Sequence, residues 1–71
     1  MKTDEAIKQM CQASGIGITK VSEAMGRQRT FISSTLSKGV TPKADTLAQI
    51  AAACGYRLVL VGNGEEIEIE P

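Results

Sequence analysis

Between Gly26 and Gly39 the chain sets out Arg27, Gln28, Arg29, Thr30, Ser33, Ser34, Ser37 and Lys38. These side chains hydrogen-bond flat heterocycles and oxyanions. An arginine fork can take guanine O6 and N7 together, an amide such as Gln28 can match adenine, and hydroxyls reach base edges or phosphates. The only strongly inward pair in the segment is Ile32 and Leu36, one helical turn apart. Their spacing predicts a short helix from about Arg29 to Ser37 with one buried stripe and a polar opposite face. So short a helix is not stable alone, and packed neighbours must present that face.

Gln28, Arg29, Thr30, Ser33, Ser34 and Ser37 are the candidates for contacting bases, with Arg29 foremost. Lys20, Arg27, Lys38 and Lys43 are the candidates for phosphates, which set affinity and register but carry no sequence information. The competing reading of each is a solvated helix face. Other chemistries lack parts. The chain has no histidine, and its serines have no base nearby, so no catalytic site is expected. Two cysteines, Cys11 and Cys54, do not make a zinc site and fall on apolar stripes, where a thiol packs as a small hydrophobe; the alternative is a disulfide or redox role. No metal and no cofactor are expected.

Net charge is zero over 71 residues, but it is unevenly placed. Residues 16–44 carry Lys20, Arg27, Arg29, Lys38 and Lys43 against Glu23, a net of +4. Residues 45–71 carry Arg57 against Asp45, Glu65, Glu66, Glu68 and Glu70, a net of −4. The positive segment is the one that holds the candidate contacts.

The positioning elements follow from period and punctuation. Thr3 is placed to cap a first helix with Asp4 and Glu5 in its first turn, and Ser14-Gly15 to stop it. Ile18, Val21 and Met25 share one face of a second helix, with Gly17 as its cap, Gly26 as its left-handed terminator and small Ser22 and Ala24 for close contact. Gly39 ends the third helix. Pro42 suits the start of a fourth, from Lys43 to Ala53, with Leu47, Ile50, Ala51 and Cys54 on one stripe. The expected core is aliphatic: Ile7, Met10, Ile16, Ile18, Val21, Met25, Ile32, Leu36, Leu47 and Ile50.

After Gly55 the period becomes two. Tyr56 to Val61 and Glu65 to Glu70 alternate around Asn63-Gly64, a two-residue type I′ loop that sets the register. Leu58 then faces Ile69, Leu60 faces Ile67, and Arg57 pairs with Glu70. A lone hairpin is marginal in water, so it packs on its own helices, pairs with a second copy, or both. Tyr56, Leu58, Val59, Leu60, Val61, Ile67 and Ile69 are the candidates for a dimer interface.

Val21-Ser22, Met25-Gly26 and Ile32-Ser33, followed by Gly39, Pro42 and the run Leu47 to Ala51, resemble the phage-repressor (Cro-like, xenobiotic-response-element type) helix-turn-helix family. The likeness spans about residues 6–55. It implies a helical DNA-binding core whose third helix enters the major groove, usually as a dimer on a two-fold site. Four positions depart from the pattern. Ile18 stands where the family often has a phosphate-touching Gln, and Arg27 where an apolar residue follows the turn glycine. The second buried anchor, Leu36, lies one residue later than usual, and the hairpin replaces a fifth helix.

The expectation is a mainly α fold: a four-helix repressor-like core over residues 1–55, then a C-terminal antiparallel β-hairpin over 56–71. Double-stranded DNA and a second copy of the chain are the expected partners. The alternative is a protein-interaction or antitoxin-like adaptor that uses the same bundle and the hairpin edge. With no apolar run of membrane-spanning length and no signal-peptide pattern, a cytoplasmic location is expected.

Overall fold

A computed structural model describes residues 1–71 as four helices and a hairpin. The helices are Thr3–Ala13 (α1), Gly17–Ala24 (α2), Phe31–Lys38 (α3) and Ala44–Ala53 (α4); the strands are Leu58–Gly62 (β1) and Glu65–Ile69 (β2). Each helix gives its apolar stripe to one shared core. Ile7 and Cys11 come from α1, Val21 from α2, Ile32 from α3, and Ile50 and Cys54 from α4 and its end. Met10, Ile18, Met25, Phe31, Leu36, Leu47 and Ala53 close around them. Ile16, expected in the core, is instead 50% exposed. It lies in the turn between Gly15 and Gly17, both left-handed, where the chain changes direction at the surface.

Helix boundaries move by one or two residues from those the sequence suggests. α1 starts at Thr3 rather than being capped by it, because the Lys2 carbonyl already accepts the Ala6 N–H at 2.9 Å. α2 includes Gly17 and ends at Ala24. α4 begins at Ala44, with Lys43 as its extended N-cap. The consequential shift is in α3, which begins at Phe31. The Gln28 carbonyl accepts the Phe31 N–H at 3.0 Å, and this closes a turn that holds Arg29 and Thr30 ahead of the helix. At the other end Gly39 takes a left-handed conformation (φ 68°), and its N–H bonds the Leu36 carbonyl.

The hairpin has the register read from the sequence: Leu58 opposite Ile69, Val59 opposite Glu68, Leu60 opposite Ile67, Val61 opposite Glu66, and Gly62 opposite Glu65. Asn63 and Gly64 both have positive φ (50° and 76°), as a type I′ turn requires. The Arg57–Glu70 pair does not form. Arg57 Nη1 donates to Glu68 Oε1 at 3.0 Å, a diagonal pair on the same face that a long side chain reaches easily. Both strands lie against α4, but only Leu58, Val59 and Ile69 are half-buried there. Tyr56, Leu60, Val61 and Ile67 are exposed, and the molecule is drawn out along one axis to 38 Å against 22 and 18 Å.

Candidate nucleic-acid interface

Ser22 fixes the angle between α2 and α3. Fully buried, its hydroxyl donates to the Ile18 carbonyl at 2.8 Å and accepts the Ile32 N–H at 3.2 Å. It thereby satisfies one of the orphan donors at the start of α3 and ties that end to the body of α2. Gly26 (φ 76°) turns the chain between them. Ile32 is wholly buried and Leu36 half-buried, which fixes the rotation of α3 about its axis. Ser34, Ser37 and Lys38 are then opposite the core by helical geometry.

The turn before α3 carries the rest. Arg27, Gln28, Arg29 and Thr30 are all exposed. The Arg27 guanidinium lies 4.7 Å from the centre of the Phe31 ring, so its stem covers apolar surface while its N–H groups stay at the rim. Arg27, Gln28, Thr30, Phe31, Ser34 and Lys38 line part of an open depression of about 500 Å³ along one flank of α3. Neither the core nor the hairpin covers this surface, since the strands lie on α4.

The hydroxyls are not equivalent. Ser33 donates back to the Thr30 carbonyl at 3.1 Å, and Thr35 to the Phe31 carbonyl at 2.9 Å. Ser33 can therefore accept from a ligand but has its proton engaged. Ser34 and Ser37 make no hydroxyl hydrogen bond within the chain and retain donor and acceptor capacity. Ser33 and Ser34 are half-buried; Ser37 is exposed.

The candidate phosphate contacts divide by position. Lys38 ends α3 and Lys43 precedes α4, so both flank the same connection; both are exposed. Lys20 on α2 lies 3.7 Å from Glu23, a one-turn pair with most of the lysine side chain in water. Such a pair is worth little and exchanges readily for another anion. Sequence reasoning gave Ser22 a packing role and missed both hydrogen bonds; the signal was a small hydroxyl residue between Val21 and Met25, one turn ahead of the bend. It also missed Phe31 as the platform for Arg27.

The two thiols meet in the core. Cys54 Sγ and Cys11 Sγ are 4.0 Å apart, and both side chains are buried. Burial, followed by the neighbouring Cys54, pushes the Cys11 thiol up to about 12. Burial also raises Cys54, with the hydrogen bond to Cys11 opposing it. Both are protonated packing groups at neutral pH. No cluster of three or more His, Cys, Asp or Glu side chains is placed to hold a metal ion, and no helix is long and apolar enough to cross a membrane.

What this arrangement can do is bind. It offers planar and hydroxyl hydrogen-bonding groups on a rigid helix and turn, with cations on either side. No protein-family model, curated protein or solved structure matches this chain.

Proposed function

We propose that this chain is a cytoplasmic, sequence-specific DNA-binding regulator that acts as a homodimer, with α3 in the major groove. The observation that carries this reading is the exposed surface from Arg27 to Lys38, held in place by the Ser22 hydrogen bonds and the Ile32 anchor. Its residue types suit a duplex: Arg29 for guanine, Gln28 for adenine, Thr30, Ser34 and Ser37 for close approach, and Arg27, Lys38, Lys43 and Lys20 for phosphates. Placement of Gln28, Arg29 and Thr30 at the N-terminal approach to α3 strengthens it, because recognition helices of this motif contact base edges with their N-terminal residues. The resemblance to the phage-repressor family points the same way.

Dimerisation belongs to the reading for an electrostatic reason. One protomer has no net charge and brings at most five cations to the duplex. Two protomers double the phosphate contacts and read a site twice. The test is selection of bound duplexes from a random pool, followed by sequencing. The expected product is a two-fold repeated motif with half-sites about 10 base pairs apart, centre to centre. Recovery of no enriched motif at moderate salt would leave the second reading, an adaptor that binds protein. The exposed strand edges and apolar face of the hairpin favour that alternative.

A further inference from the structure

The two edges of the hairpin differ in a way that selects one for pairing. In a hairpin closed by a two-residue type I′ loop, the residues flanking the loop exchange hydrogen bonds, and directly opposed pairs then alternate. Gly62–Glu65, Leu60–Ile67 and Leu58–Ile69 are therefore the bonded pairs. The backbone groups of Val59 and Val61 point outward from β1, together with those of Arg57 just ahead of it. Those of Glu66 and Glu68 point outward from β2, together with those of Glu70 just beyond it. One free edge is thus built on two valines and an arginine already paired with Glu68, the other on three glutamates.

We propose that β1 pairs antiparallel with β1 of a second copy about a two-fold axis at Val59, forming a four-stranded sheet in the order β2-β1-β1-β2. In this register Val59 meets its own copy, and Arg57 of each chain meets Val61 of the other. All outward N–H and C=O groups from 57 to 61 then gain partners. On one face Leu58 and Leu60 of each chain lie beside Leu60 and Leu58 of the other. Flanked by Ile67 and Ile69, they join two small apolar patches, each half-covered by α4 at Leu58 and Ile69 and open to water at Leu60, 57% exposed, and Ile67, 51%. On the other face Val61, 73% exposed in the single chain, gains the aliphatic stem of Arg57 as a neighbour.

Charge and closure exclude the other pairings. Joining β2 to β2 would set Glu66, Glu68 and Glu70 against like charges across the ladder. Joining β1 to a partner's β2 leaves one open edge at each end and repeats without closing. The two-fold β1 pairing closes and leaves glutamates on both outer edges, where charge keeps further strands away. This pairing deepens the dimeric part of the function proposed above, and mass measurements without DNA test it separately from DNA binding.

The experiment uses the full chain in sedimentation equilibrium, with circular dichroism to follow folding. Val59→Pro removes an outward N–H and no hydrogen bond within the hairpin; Glu66→Pro does the same on the opposite edge. The expected result is a wild-type dimer, a Val59→Pro dimer dissociation constant at least about tenfold weaker, from one lost hydrogen bond per copy, and Glu66→Pro unchanged. Val59→Lys and Val59→Glu make the decisive pair. Each alone is weakened by like charge at the axis, and mixing the two restores a mass of two chains. A monomeric wild type, weakening by Glu66→Pro alone, or a Lys/Glu mixture that stays monomeric overturns the proposal.

Discussion

Ser22 is a single buried hydroxyl that serves two helices, and its replacement is the most direct probe of how α3 is held. Ser22→Ala leaves the Ile32 N–H without its partner, at an expected cost of about 1–3 kcal/mol. Urea unfolding reads this as a lower midpoint with an unchanged slope; an unmoved midpoint would mean that the Ile32 anchor alone positions α3. The proposed contact residues separate by what they offer. Arg29→Ala should weaken binding to the preferred duplex by about 1–3 kcal/mol while leaving random duplexes nearly untouched. Lys43→Ala should weaken both alike. Ser33→Ala should matter less than Ser34→Ala, because Ser33 already gives its proton to Thr30. Competition titrations against preferred and random duplexes measure all four; equal losses on both duplexes for Arg29→Ala, or a loss confined to the preferred duplex for Lys43→Ala, would undo these roles. Residue types made Arg29 and the serines candidates from the sequence, and the structure leaves Arg29 and Ser37 exposed and Ser33 and Ser34 half-buried. The Ser22 bonds were not, because they depend on the angle between two helices that no spacing states.

Elements are set by where the backbone can turn. Gly39 ends α3 at φ 68°, and a Cβ there would meet nothing within 4 Å. The expected cost of Gly39→Ala is therefore conformational alone, about 1–2 kcal/mol. Gly62 in β1 has no positive φ and equally open space. Thermal melts of both variants check this: Gly62→Ala should be neutral or slightly stabilising, and equal losses at both sites would refute the conformational explanation. The type I′ turn, the strand register and the glycine helix ends were readable because each rests on a local chain rule. The start of α3 was not: Ile32 and Leu36 fix its face but not its first residue. The hydrogen bond from Phe31 to Gln28 decides that, and it moves Arg29 from the helix into the turn before it. The Arg57 partner was misread for a related reason. Directly opposed residues follow from register, whereas a diagonal ion pair depends on side-chain reach.

At the scale of the whole molecule, the core is small. Nine of 71 residues are buried, and two of them are the adjoining cysteines, so the thiols contribute noticeably to stability. Their raised pKa values carry a sign. Above pH 9 the unfolded chain loses these protons while the folded chain keeps them. Stability is therefore full below the ordinary thiol value and falls as pH rises from about 9 toward the Cys11 value of about 12. Each thiol contributes a slope of at most about 1.4 kcal/mol per pH unit. Urea midpoints between pH 8 and 10.5 should fall more steeply for the wild type than for Cys11→Ala compared with its own neutral midpoint. Parallel curves would rule the thiols out as the cause.

Charge is the other property of the whole molecule, and the proposed binding to DNA rests on it. In the proposed complex four cations per protomer, Lys20, Arg27, Lys38 and Lys43, meet phosphate, and each neutralised phosphate contributes about −0.9 to the slope of log affinity against log salt. The most direct test is a fluorescence anisotropy titration of a mixed duplex pool, repeated from low to physiological salt. The expected result is a linear loss of affinity with a slope of about −3.6 per protomer, on the order of one unit shallower for Lys43→Ala. Binding that does not respond to salt, or no binding to duplex at low salt while the protein is folded, would contradict it.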